Sequence, residues 1–160
     1  MPSEFVTKCS KVLAAKEWNI AFAESATAGR MSAEFSMTKE SGKILRGGIA
    51  CYEVFVKEQI LNVPHAMIEK YTPESAEVTK KLAEQMSKLF NAKVTVAVTG
   101  LTTPGGSETP EKPVGTFFFS IITPSENINK RKVFKGDSEQ IIIQAIDETA
   151  KLIIESIASL

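Results

Sequence analysis

Apolar residues recur along this chain with two periods. From Ser3 to Trp18, Phe5, Val6, Cys9, Val12 and Leu13 follow a 3.6-residue repeat behind a capping serine, which predicts a helix ending near Trp18. "NIAFAE" (19–24) is a short apolar run and predicts a buried strand. "TAGRMSAEFSM" (27–37) predicts a helix entered directly from that strand. "SGKILRGGIACYE" (41–53) reads as a loop that becomes a strand near Leu45, where Gly47 and Gly48 suggest a bulge or a close backbone approach. "VFVKEQILNV" (54–63) predicts a short helix stopped before Pro64. "TPESAEVTKKLAEQMSKLF" (72–90) predicts a long one with Ala76, Leu82, Met86, Leu89 and Phe90 on its apolar face. "KVTVAVTG" (93–100) is a β-branched strand. "TFFFSIIT" (116–123) and "KRKVFKG" (130–136) read as two more strands, joined by the turn "PSENIN". Ser138 to Leu160 reads as a final helix with Ile141, Ala145, Ile146, Leu152 and Ile153 inward. The segment "LTTPGGSETPEKPVG" (101–115) is the one long irregular stretch, and long ordered loops usually carry function.

Strands alternate with helices, with one late hairpin. This predicts a single domain over residues 1–160, a three-layer α/β/α sandwich around a mixed, mostly parallel five-stranded sheet. In such sheets ligands bind beyond the carboxyl ends of the strands. "ESATAG" and "TGLTTPGG" are the segments expected there.

Composition narrows the function classes. Of 160 residues, 43% are hydrophobic and 24% charged, as in ordinary globular proteins. Nineteen basic residues balance nineteen acidic ones, so no bulk charge draws the chain to nucleic acid or to an anionic membrane. Cys9 and Cys51 lie in apolar patterns without metal-type spacing and read as core residues. No apolar segment has the length of a signal peptide or a membrane span, so a cytoplasmic protein is expected.

The chemistry-bearing residues cluster in the strand-end segments. Ser25 has two readings: an N-cap of the following helix, or a nucleophile on a strand-to-helix turn whose backbone N–H groups stabilise an oxyanion. The surrounding residues do not form a G-x-S-x-G elbow. A nucleophilic serine needs a base. The only histidine, His65, reads as an exposed residue after a proline, whereas Lys57 follows the strand end at Tyr52 and serves if burial keeps it neutral. Tyr52 either orients Lys57, donates to an oxyanion or is core. The long loop has backbone donors at Gly100, Gly105 and Gly106 and hydroxyls at Thr99, Thr102 and Thr103, a composition able to cradle phosphate although no Walker A pattern is present.

"AESATAG", "RGGIACY" followed by "VKEQILNV", "ESAEV", "VAVTG", "PGG" and "TPEKPVGT" occur in one order. Together they resemble the CinA C-terminal domain family, which includes nicotinamide-nucleotide amidohydrolases of the PncC type. The resemblance runs from about Ile20 to Asp137. It implies hydrolysis of the carboxamide of nicotinamide mononucleotide to nicotinic acid mononucleotide and ammonia, within pyridine-nucleotide salvage. It assigns Ser25 as the nucleophile that forms an acyl-enzyme, Lys57 as its base and Tyr52 beside them. It places Thr27 and Gly29 in the turn and Thr99 and Gly100 at the second strand end. Gly105 and Gly106 would hold the nucleotide or its phosphate. No metal or organic cofactor is implied. The expected partner is a small nucleotide substrate, not nucleic acid or membrane, and the apolar face "QIIIQAI" suggests a homo-oligomer, a dimer. The family also occurs fused behind a molybdopterin-binding-like domain; this chain reads as the stand-alone form.

The sequence departs from the family pattern at several points. Ala28-Gly29 stands for a pair of glycines, Glu53-Val54-Phe55 for a polar run, and Ser138 and Ile142 for two arginines after "GD". Losing two bidentate donors for phosphate leaves a second expectation: a catalytically impaired member that binds a nucleotide or a protein. Lys132 and Lys135 are the candidate replacements.

Overall fold

A computed structural model describes residues 1–160. Strands β1 (Ile20–Glu24), β2 (Leu45–Ala50), β3 (Val94–Gly100), β4 (Thr116–Ile122) and β5 (Asn127–Val133) form one sheet in the order β2-β1-β3-β4-β5. β1 runs parallel to both β2 and β3, while β4 is antiparallel to its neighbours β3 and β5. The helices are α1 (Glu4–Ala15), α2 (Arg30–Ser36), the single turn α3 (Ser41–Ile44), α4 (His65–Tyr71), α5 (Ala76–Phe90) and α6 (Ser138–Ala158). The expected α/β/α sandwich with a mixed five-stranded sheet is the architecture found.

Alternation along the central strands separates two cores. Ile20 and Phe22 of β1, Val94, Val96 and Val98 of β3, and Phe117 and Phe119 of β4 meet α1, α2 and α6. The opposite face presents the small residues Ala21, Ala23 and Ala97, against which Leu82, Ala83 and Met86 of α5 pack. Large side chains therefore fill the gap on one face, and small ones let α5 lie close on the other.

The glycine pair of β2 serves both purposes expected of it. The β1–β2 register slips between Ile20 and Ala21, a bulge next to Gly47 at φ +139°. A Cβ on Gly48 would lie 2.5 Å from the Phe22 carbonyl oxygen.

Several boundaries differ from the sequence reading. Helix α2 starts at Arg30 because Ala28 and Gly29 take positive φ and break the helical path. The loop at 41–44 is a helical turn, and α4, started by Pro64, was not expected. In α5 the buried face is Val78, Thr79, Leu82, Ala83 and Met86; Ala76 and Leu89 face solvent. β5 begins at Asn127, because a tight turn at Thr123–Glu126 is closed by Thr123 Oγ1, which accepts the Ser125 and Glu126 amides. Phe5 leaves the core and lies under the Lys151 ammonium. In α6 the five residues expected inward are buried, Ile142 packs partly against the core and Ile143 is exposed. No helix is long and apolar enough to cross a membrane.

Candidate active site

Because β2, β1 and β3 are adjacent and parallel, their carboxyl ends lie side by side, each feeding one wall of a cleft. Ser25 follows β1, Cys51 and Tyr52 follow β2, and Leu101 to Thr103 follow β3. The ladder continues one step beyond β1: the Ser25 amide donates to Val98 O and the Cys51 amide to Glu24 O. The serine's backbone is thus fixed by both neighbouring strands.

Ser25 is not the cap of α2. Gly29 occupies that position with φ +95° and offers no side chain. The first amides of the helix are taken by Glu24, which is almost wholly buried at the end of β1. Its Oε1 accepts from the Met31 amide (2.7 Å) and from Thr27 Oγ1 (2.7 Å). Its Oε2 accepts from the Ser32 amide (2.9 Å) and from Ser32 Oγ (2.7 Å). A carboxylate at a helix N-terminus is favourably placed, and here it also ties both ends of the 25–29 turn together. Thr27 accordingly points to Glu24.

The serine hydroxyl meets Lys57 instead. After β2 the chain enters a π-helical turn, Val56–Ile60, a wide-turn geometry often found at functional sites. It carries Lys57 inward until 1% of the side chain is exposed. Lys57 Nζ lies 2.8 Å from Ser25 Oγ, 2.6 Å from Cys51 O and 3.2 Å from Tyr52 O. Burial lowers its pKa, and the fields of Cys51 and Glu74 oppose that only in part. A neutral amine has two N–H donors and one lone pair. The carbonyls accept the donors, and the lone pair is left for the serine O–H. After proton transfer the ammonium has three donors for the same three oxygens.

The remaining expected residues divide. Tyr52 lines the cleft with an exposed ring and holds Lys57 through its main-chain carbonyl; its phenol makes no bond to the lysine. Thr99 is buried and bonded to Thr79 at 2.8 Å. Gly100 lines the cleft and packs on Phe117, whose ring a Cβ would strike at 2.5 Å. Gly106 is also in the wall, while the Gly105 amide is taken by the Glu108 carboxylate at 2.7 Å. The Ala26 amide, next to the serine and in the wall, donates to no protein group and is free for an oxyanion.

Lys132 does not stand in for the missing arginines. Its ammonium is bonded to Glu148 at 2.8 Å, and with Lys135 it borders α6, away from the serine cleft. Ser138 Oγ donates to Thr102 O and steadies the long loop. His65 is exposed, paired with Glu58 and Glu69, and does not line the serine cleft.

Three residues that matter here had no assigned role in the sequence reading: Glu24, Thr79 and Glu74. For Glu24 a signal existed, a charged residue closing an otherwise apolar strand, seven residues before a helix's first turn. Glu74 heads the motif "ESAEV" but nothing there pointed to a place in the cleft, and for Thr79 there was no signal.

The fold and the cleft define an α/β/α protein with a buried serine–lysine pair at the switch of its parallel strands. Residues 3–157 match the CinA C-terminal domain, and the chain belongs to that family. It is 30% identical over 137 residues to a CinA-like protein of Prochlorococcus marinus (strain MIT 9515), covering 85% of this chain and 31% of that one. It is 32% identical over 141 residues to a putative competence-damage inducible protein of Thermoanaerobacter sp. (strain X514), covering 86% and 34%. The chain therefore spans about a third of these relatives. A competence-damaged protein (CinA) superfamily structure from Klebsiella pneumoniae 700603 superposes with TM-score 0.92 at 23% identity, covering 98% of each chain. One from Escherichia coli gives 0.85 at 25% identity, covering 94% of this chain and 88% of that one.

Proposed function

We propose that the chain is a serine–lysine amidohydrolase acting on a pyridinium carboxamide of the nicotinamide mononucleotide type. The observation that carries this reading is the 2.8 Å contact between Ser25 Oγ and a buried Lys57 Nζ whose pKa is lowered.

Lys57 takes the hydroxyl proton as Ser25 Oγ bonds to the amide carbon. The oxyanion forms against the free Ala26 amide. The C–N bond then breaks as the proton passes from Lys57 to the leaving nitrogen, releasing ammonia and an acyl-serine. Water, deprotonated by the same lysine, attacks the acyl carbon, and the serine leaves with that proton. The nicotinic-type acid is the second product. A cytoplasmic homodimer is part of the same proposal; of the apolar side chains in "QIIIQAI", Ile143 is the one left exposed for such a contact.

The test is ammonia release from nicotinamide mononucleotide by purified protein, with Ser25→Ala as control. Release that Ser25→Ala abolishes supports the proposal. A second reading, an impaired member that only binds, is favoured by the uncharged Ser138 and Ile142. Calorimetric binding of nicotinamide mononucleotide without ammonia release selects it.

A further inference from the structure

The cleft's charges bear on which carboxamide it accepts. Among its lining side chains Glu74 alone is charged; no lysine, arginine or histidine reaches the wall. The Glu74 carboxylate accepts from Ser107 Oγ at 2.7 Å, so it is fixed in place without being neutralised. The Lys112 ammonium stands beside this residue but bonds to Thr72 Oγ1 (2.7 Å) and to the Glu74 main-chain carbonyl (3.0 Å), not to the carboxylate. Glu74 lines the same cleft as Ser25, and its field acts on the Lys57 charge.

The glycine loop is also occupied. Its Gly105 N–H, the type of donor that cradles phosphate, points at Glu108 Oε2. The same carboxylate lies beside Gly106, in the cleft wall. Backbone N–H groups of Gly105, Glu108 and Gly106 hold it below the usual carboxylate range, so it keeps its charge. The chain's own anion thus takes a donor of the glycine loop beside the cleft, and a dianionic phosphate brought to that loop would meet the Glu108 carboxylate, with Glu74 and no cationic side chain in the wall.

Resting on the amidohydrolase reading, we propose that this cleft selects a pyridinium carboxamide without a phosphate, with Glu74 as counter-charge to the cationic ring and Glu108 filling the anion nest. The 5′-dephosphorylated riboside is then the better substrate.

The experiment compares nicotinamide riboside with nicotinamide mononucleotide, by ammonia release with the wild-type chain and by calorimetric binding to Ser25→Ala. The riboside is expected to win by at least tenfold in kcat/KM and in affinity. Glu108→Gln is expected to improve the mononucleotide selectively, and Glu74→Gln to weaken the riboside, each narrowing the ratio. If the mononucleotide is turned over better than the riboside, this inference is overturned while the amidohydrolase reading stands. If neither yields ammonia but the riboside binds tenfold tighter, the amidohydrolase reading falls and the selectivity stands. If neither binds nor reacts, or the two variants leave the ratio unchanged, the inference is wrong.

Discussion

Replacing Glu24 by Gln is an isosteric test of what holds the serine turn. The carboxylate accepts four hydrogen bonds, two from backbone amides of α2 and two from hydroxyls. A carboxamide offers one accepting oxygen and one NH2. Thr27 and Ser32 hydroxyls can rotate to accept from that NH2. A backbone N–H cannot, so whichever way the amide turns, either Met31 or Ser32 loses its acceptor. One buried donor left unpaired costs about 1–3 kcal/mol. The surviving bonds also lose their charge assistance, roughly 1 kcal/mol more, since charged acceptors bind about twice as strongly as neutral ones. The sum, about 2–4 kcal/mol, is within the roughly 5–15 kcal/mol of a typical domain, so the variant should fold. At about 2–4 °C per kcal/mol for a chain of this size, Tm should drop on the order of 10 °C. Thermal unfolding followed by far-UV circular dichroism reads this directly, with Glu17→Gln as an exposed control. Ammonia release should fall mainly in kcat, because the loosened turn carries Ser25 and not the substrate-binding wall. A Tm within 2 °C of wild type would show that the carboxylate does not hold the turn, and the account of Ser25's placement would fail with it.

Other perturbations test the remaining parts. As the proposed base, Lys57 acts in its neutral form, and burial lowers its pKa, so activity should rise with pH along a limb centred below the ordinary lysine value of 10.5; a limb at or above that value contradicts the buried base. Lys57→Ala should lose about 10²- to 10⁴-fold in kcat, and Lys57→Arg should be no better because arginine does not give up its proton; an active arginine variant places the base elsewhere. Stability should also rise as pH climbs from the folded pKa of Lys57 towards its unfolded value, since in that window the unfolded chain binds more protons; urea midpoints of wild type and Lys57→Met across that range should converge at the alkaline end. Ala28 holds φ +50°, so Ala28→Gly should stabilise by about 1 kcal/mol in urea unfolding, and a loss would mean that the methyl makes a favourable contact. Burial raises both thiol pKa values, that of Cys51 to about 11, so a thiol reagent at neutral pH should label neither cysteine until denaturant is added.

The layered fold was legible because its signals are local and repeated. β-branched runs at 94–98 and the 3.6-residue pattern of α6 each specify an element without help from the rest of the chain. Boundaries set by single backbone angles were not legible: alanine at position 28 has no intrinsic preference for positive φ, so nothing in "SATAGRM" announces that the helix waits until Arg30. The pairing of Ser25 with Lys57 could be suspected from a resemblance, but its geometry depends on β2 lying beside β1 and on a π turn, both products of tertiary packing. The occupants of the loop were hidden for the same reason. Glu74 and Glu108 are 34 residues apart in sequence, and only folding brings them towards one cleft.

The two readings of Ser25 compete for one hydroxyl, and the structure resolves the competition by giving the helix another partner. A serine that capped α2 would aim its oxygen at backbone amides and offer them its lone pairs. Glu24 satisfies those amides from one residue upstream. Ser25 Oγ is thereby left with Lys57 as its partner. The two carbonyls of Cys51 and Tyr52 then govern the lysine in turn, since they accept hydrogen bonds from two of its N–H groups and turn its remaining position towards the serine. Neither device works alone. Without Glu24 the hydroxyl has backbone donors to prefer, and without the carbonyls a buried amine has no reason to present its lone pair to the serine O–H. This coupling makes a sharp expectation: Glu24→Gln and Lys57→Ala should be far from additive in kcat, with the double variant little worse than Lys57→Ala. Additive losses in a double-mutant cycle would mean that the carboxylate and the lysine act on different steps.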